Sequence, residues 1–358
     1  HQSEQALIAA MIPILYPATV QEYIDYGLMG FEMSRYSGCW VGIKCVGDII
    51  ESTASVSIDQ DRQNIKAPTD FEFPEDGVHI RWPDGPVEQE KRLISVKLKA
   101  AQAFASKNKL DRISHAVSTK RVGIVAPGKA WLNVCQAFNE LDLGQSERED
   151  MGIGVFKVAM PWPLEPNRIR DWAEGFDEII VIEEKRNVIE DQLARVIYDL
   201  PEKVRPRLIG KHDIDGNLLV PEFGELNGTL IAQIIANRFL DEGGSNCLIK
   251  AAAEIKARSV NSNRPVAPSE RSPWFCAGCP HNSSTKVPEG SRALAGIGCH
   301  TMAVYMDRQT AAYTHMGGEG GTWIGQAPFT TAKHVFQNIG DGTYYHSGLM
   351  AIRAAVSS

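Results

Sequence analysis

The chain is 358 residues long, 43% hydrophobic and 23% charged, the balance of an ordinary globular protein with room for two or three domains. Its net charge of −7 is mild and dispersed, and no lysine or arginine run is long enough to mark a nucleic-acid surface. No apolar stretch reaches the roughly 18 residues of a membrane helix and no secretory pattern opens the chain, so the reading is a cytoplasmic protein without a membrane or nucleic-acid partner.

Ile12-Pro13-Ile14-Leu15-Tyr16-Pro17 is a short apolar run closed by proline and predicts a buried strand. A helix is expected from about Gln21 to Arg35. A second is expected beyond Cys39, because Val41, Cys45 and Ile49 recur at helical spacing. Ala54, Val56 and Ile58 alternate with serines, which predicts a strand ending a partial α/β unit over 1–59. Residues 60–86 are rich in proline and charge and lack periodicity, so they read as a long surface connection. Pro86 to Lys109 reads as helical, completing a linker-and-helix segment over 60–120.

The clearest pattern follows. Strands at Arg121–Ala126, Val155–Val158 and Glu178–Ile182 alternate with helices through Leu141, from Ile169 to Glu174, and from Val188 to Leu200. Such alternation predicts a parallel sheet with helices on both faces and right-handed crossovers, here a domain over 121–257. Residues 258–273, with three prolines, read as a linker. The last domain, 274–358, carries most of the chemistry.

Cys276-Ala277-Gly278-Cys279-Pro280-His281 places two thiols two residues apart in a turn, and Cys299 follows the small-residue run Leu294 to Gly298. Spacing alone leaves iron–sulfur and zinc both open, with His281 or His300 as a fourth zinc ligand. Cys39, Cys45, Cys135 and Cys247 lie among apolar neighbours and read as inert core thiols. Gly340-Asp341-Gly342 lies between an expected strand, Val335 to Ile339, and a helix beginning near Ser347. A carboxylate at such a strand end suits Mg²⁺ bound to phosphates, although a simple turn has the same composition. Met316 to Gly321 carries four glycines in five residues, which suits either a phosphate cradle or a surface loop. Glu183-Glu184-Lys185-Arg186 reads, taken alone, as a solvated helix start.

Together these blocks resemble the indolepyruvate ferredoxin oxidoreductase family. The resemblance runs through Ser34 to Gly42, Trp162 to Pro166, Glu183 to Arg186, Phe275 to Asn282, Gly290 to His300, Trp323 to Phe329 and Gly340 to Tyr344, in the family's order. It implies an α/β fold of linked thiamine-diphosphate-enzyme modules, transketolase-like, with parallel sheets covered by helices. Residues 1–59 would be the second half of the pyrimidine-binding module, 121–257 a transketolase C-terminal-like domain and 274–358 the diphosphate-binding domain.

The implied reaction is oxidative decarboxylation of an aryl 2-oxoacid with coenzyme A. It would give an acyl-CoA and CO₂, with electrons passing through an iron–sulfur cluster to ferredoxin. Cys276, Cys279 and Cys299 are the implied ligands of that cluster, expected to be 4Fe–4S. Asp341 would ligate magnesium, and Gly340, Gly342, Gly298, His300 and Gly318 would contact thiamine diphosphate.

The chain opens at His1 and closes inside a growing helix, so both ends are expected to be cut. The family's glutamate for the aminopyrimidine, its asparagine beyond Gly-Asp-Gly and a fourth cluster cysteine are expected outside this stretch. The partner would be a second copy or the missing catalytic module, and the chain alone is expected to be inactive. Two rival readings are a non-oxidative thiamine-diphosphate 2-oxoacid decarboxylase and a zinc-bearing non-catalytic subunit.

Overall fold

The computed structural model describes residues 2–59, 62, 64–80, 82, 84–240, 246–262 and 272–358. It is an α/β protein with parallel sheets, divided into two compact units, His1–Ser262 and Asn263–Ser358.

The first unit opens on a two-stranded parallel pair, β1 (Ile14–Leu15) with β2 (Gly42–Ile43), joined by the helix Val20–Ser37. Thr19 caps that helix, its hydroxyl accepting from the Glu22 N–H, and Gly38 closes it in the left-handed conformation. The helix expected through Val41, Cys45 and Ile49 does not form. β2 takes its first part and only Gly47–Ile50 turns helically, since two glycines weaken helix here and Gly42 and Ile43 pair with β1 instead. Cys45 is consequently exposed, whereas Cys39 is buried and Cys135 half-buried; the side chain of Cys247 lies outside the described residues. Ala54 to Ile58 alternates as a strand would, but no neighbouring strand pairs with it among the described residues, and it runs as exposed coil.

Residues 64–80 are not a loose connection. Phe71 and Phe73 pack edge-on against Tyr36 at 6.4 and 5.0 Å between ring centroids, tying this stretch to the first helix. Pro86–Arg92, the widened turn Leu93–Lys97 and Leu98–Lys107 then form the one expected helical run.

The main sheet has the order β3-β5-β4-β6-β7, with β3 (Arg112–His115), β4 (Val122–Pro127), β5 (Ile153–Val158), β6 (Glu178–Val181) and β7 (Arg207–Ile209). β4 to β7 are parallel, as the alternation of strands and helices requires, and only the edge strand β3 is antiparallel. These strands read as continuous apolar runs because both faces are covered. Ile124, Val155 and Ile180 point to one core with the helices Gly128–Glu140 and Gly228–Leu240. Val125, Phe156 and Ile179 point to the other with Pro166–Ala173 and Ile189–Tyr198. The linker expected from 258 starts inside a helix, Asn246–Ser262; residues 263–271 lie outside the described residues.

Buried ionisable groups tie segments of this unit together. Lys157 on β5 is fully buried, pairs with Glu22 at 2.5 Å and lies 4.1 Å from the Trp131 ring centroid. Burial pulls its ammonium down to about 8, against the opposing pull of Glu22. Glu183 anchors the following helix by accepting from the N–H groups of Val188, Ile189 and Glu190. Glu183 is therefore no part of a solvated helix start. Glu184 pairs with Lys129 at 3.1 Å.

Asp111 fastens the start of β3 to the chain beyond β5, its Oδ1 accepting from the N–H groups of Ala159 and Met160 at 2.7 and 3.1 Å. Burial pushes its pKa from 3.8 up to about 7, although those two N–H groups oppose the shift. A carboxyl whose pKa is raised by folding stabilises the fold below its unfolded pKa and loses that contribution as pH rises through the folded value. The stability of the wild type minus that of Asp111→Asn should therefore fall steadily between about pH 4 and pH 7, with a limiting slope of about 1.4 kcal/mol for each step of one in pH. Urea unfolding of both proteins across that range measures it; a pH-independent difference contradicts the assignment.

Candidate functional site

The second unit is built on three strands, β8 (Ala293–Ala295), β9 (Thr310–Tyr313) and β10 (Phe336–Gln337), in the order β10-β8-β9. Both pairings are parallel, so all three C-terminal ends emerge at one edge. That edge is where open parallel sheets receive ligands. β8 runs into Gly296 to His300, β9 into Thr314 to Gly320 and β10 into Asn338 to Gly342. The strand, Gly-Asp-Gly turn and helix expected at the end of the chain are present. Gly340 precedes the short helix Asp341–Thr343, which continues through the widened turn Tyr344–Gly348 into Leu349–Ser357.

The three loops interlock. A side chain on Gly296 would stand 3.0 Å from the Asn338 carbonyl oxygen, so the first loop lies directly against the third. Gly317 has φ +94, and a Cβ there would meet Ser347 Oγ at 2.5 Å, so the second loop lies against the turn after Asp341. Asp341 is exposed at this edge, as are Gly342 and Cys299.

Glu319 joins the site without having stood out in the sequence. It is 1% exposed, and its Oε2 accepts from the Gly317 N–H at 2.6 Å. Its Oε1 is buried and has no partner among the described residues. A charged residue inside a four-glycine run was the signal available. Burial, and next the neighbouring His281, push the His300 imidazole below its ordinary value, while Glu319 pulls the other way.

The Cys-x2-Cys turn closes on backbone bonds, with the Cys279 N–H donating to the Cys276 carbonyl at 3.1 Å. Asn282 Nδ2 donates to that same carbonyl at 3.0 Å and fixes the short helix His281–Ser284 beside it. Cys279 Sγ lies 3.1 Å from His281 Nδ1. The His281 ring stacks on Phe275 and stands edge-on to His300, with centroids 4.8 Å apart. The imidazole pair thus joins the Cys276–Cys279 turn to the Cys299–His300 turn. Cys276 and Cys299 are exposed and Cys279 is half-buried.

Among the described residues no three His, Cys, Asp or Glu side chains are placed around a single metal ion. Cys276, Cys279 and Cys299 are therefore not gathered into one such group. Gly318, which the resemblance implied would contact thiamine diphosphate, lies against the His315 ring, on which a Cβ would fall at 2.6 Å.

Residues 112–262 match the model of the indolepyruvate oxidoreductase domain. The indolepyruvate oxidoreductase subunit IorA of Methanothermobacter marburgensis is 24% identical over 97% of this chain and 53% of its own length. The corresponding subunit of Pyrococcus abyssi is 26% identical over the same shares. The chain is similar to the indolepyruvate oxidoreductase domain over 112–262 and to these subunits over most of its length. It spans about half the length of these curated relatives. Among solved structures, the 2-oxoglutarate:ferredoxin oxidoreductase of Magnetococcus marinus aligns at a TM-score of 0.38 and 13% identity, covering 64% of this chain and 42% of that one.

The packing of the glycine loop yields a stability test. Gly317→Ala should destabilise the second unit by about 1–3 kcal/mol, through its positive φ and its clash with Ser347. Adding Ser347→Gly should recover only the steric part. Urea unfolding of the single and double variants reads this directly, and an unchanged Gly317→Ala midpoint contradicts the packing described.

Proposed function

We propose that this chain is the part of a 2-oxoacid:ferredoxin oxidoreductase that holds the diphosphate end of thiamine diphosphate and an iron–sulfur cluster. The single observation that carries the reading is the meeting, at one edge of one parallel sheet, of the Gly-Asp-Gly turn, the glycine loop with Glu319 and the Cys299–His300 turn. The likeness to indolepyruvate oxidoreductase subunits supports it.

Asp341, exposed at the end of β10, would ligate magnesium through its carboxylate, the oxygen donor that this hard cation prefers. Gly340 and Gly342 would let the backbone approach the diphosphate, and Gly298, His300 and Gly318 would line the same edge. Cys276, Cys279 and Cys299 would hold the cluster, with a fourth ligand from elsewhere in the assembly. When bound, thiamine diphosphate supplies the nucleophilic carbon and electron sink that 2-oxoacid decarboxylation needs, and the cluster supplies one-electron redox chemistry.

Burial and the neighbouring His281 both disfavour the charged form of the His300 imidazole, while Glu319 favours it. The substrate would be an aryl 2-oxoacid of the indolepyruvate kind, with coenzyme A as acyl acceptor and ferredoxin as electron acceptor, in an assembly with the rest of the catalytic machinery. Residues 1–59 would contribute to the pyrimidine-binding module and 121–257 would form the transketolase C-terminal-like domain. Among the described residues no helix is long and apolar enough to cross a membrane, and a cytoplasmic location fits the reaction.

Two variants in the full assembly test the reading. Asp341→Ala should lose bound thiamine diphosphate while retaining iron. Cys279→Ala should lose iron and the brown charge-transfer absorbance while retaining thiamine diphosphate. Cofactor analysis with iron determination checks both, and wild-type contents in both variants would falsify the proposal.

A further inference from the structure

The first unit carries an open cleft of about 550 Å³ that the proposed site does not use. One wall is the helix Leu98–Lys107, where Lys99, Gln102 and Ser106 recur at i, i+3 and i+7 on one face. Lys107 and Lys109 stand at its end, and Phe71 and Asn167 complete the lining used here. Lys109 holds φ +51, a left-handed conformation in which glycine or asparagine is the usual occupant.

Charge in the cleft is unbalanced. Lys99, Lys107 and Lys109 are all exposed, and none forms an ion pair among the described residues. Two acids, Asp70 and Glu165, also line the space. Glu165 is committed elsewhere, since its two oxygens accept from the N–H groups of Asn167 and Arg168 at 3.0 Å each and start the following helix. Three ammonium groups thus face two carboxylates, of which Glu165 is already drawn on by the helix N–H groups, and one positive charge is left over. Beside them the Phe71 ring is held edge-on by Tyr36 and Phe73, with centroids 6.4 and 5.0 Å away, so the aromatic wall is fixed before any ligand arrives. Like charges gathered in a concave space, with hydroxyl and amide donors and one preset ring, suit a polyanion carrying a flat base.

We propose that this cleft binds an adenine nucleotide, with phosphates on Lys99, Lys107 and Lys109 and the base on Phe71. The nucleotide class rests on the cleft alone; coenzyme A is the member that the proposed reaction would supply, and that narrower identity rests on the proposed function.

Calorimetric titration of the full chain with ATP, coenzyme A, pyrophosphate and adenosine tests it. ATP should bind with Kd below about 1 mM, weakening with salt, and adenosine should not bind measurably. Lys99→Glu with Lys107→Glu should weaken ATP at least about tenfold, a loss of about 1.4 kcal/mol, and Lys99→Gln with Lys107→Gln guards against a folding defect. Phe71→Ala should weaken ATP while leaving pyrophosphate unchanged. Absence of ATP binding, or an affinity untouched by the lysine substitutions, overturns the proposal. Lysine-dependent binding of ATP without binding of coenzyme A supports the cleft and counts against coenzyme A as cosubstrate. Failure of the cleft with Asp341 and Cys279 behaving as expected leaves the proposed function standing.

Discussion

Two parallel pairings, β8 with β10 and β8 with β9, govern the second unit. Because the strands run the same way, three loops far apart in sequence must leave the sheet at the same edge. Because the strands are two to four residues long, those loops must also pack on each other to be held at all. The close approaches of Gly296 to Asn338 and of Gly317 to Ser347 are that packing. They bring a carboxylate, a buried glutamate and a cysteine–histidine turn to one edge. Substitution of either glycine would disturb this edge before it touched any functional side chain.

The first unit solves a different problem. Its five-stranded sheet is sealed on both faces by apolar side chains, and the charges inside it are placed where chain segments meet. Glu22 joins the first helix to β5 through Lys157, Asp111 joins β3 to the segment after β5, and Glu183 starts the helix after β6. Removing one partner of such a buried pair leaves the other desolvated and alone, which costs far more than an exposed pair contributes. These contacts make the unit sensitive to polar substitutions that a hydrophobicity pattern would pass over.

The legible parts of the sequence were those whose local pattern and tertiary role agree. β4, β5 and β6 are continuous apolar runs bounded by turns because both their faces are buried, and the alternation with helices fixed their parallel sense. The Gly-Asp-Gly turn was readable from the strand before it and the helix after it. β3 and β9 were missed because Arg112–His115 and Thr310–Tyr313 are short edge strands with little apolar signal, formed by pairing with a neighbour. Val41, Cys45 and Ile49 mimicked a helical stripe, while pairing with Ile14 and Leu15 drew Gly42 and Ile43 into a strand. Ala54 to Ile58 alternated correctly and had no partner strand among the described residues. Asp111, Glu183 and Glu319 were invisible as buried groups, since a carboxylate in sequence reads as surface until the amides that hold it are known.

The proposed function requires that three loops far apart in sequence form one cofactor-holding edge. Backbone amide NMR of the isotopically labelled protein during titration with thiamine diphosphate and Mg²⁺ tests this. Resonances of Gly296 to His300, Gly317 to Gly320 and Gly340 to Gly342 should shift together with one common dissociation constant. Shifts confined to other parts of the chain, or separate constants for the three loops, would contradict it.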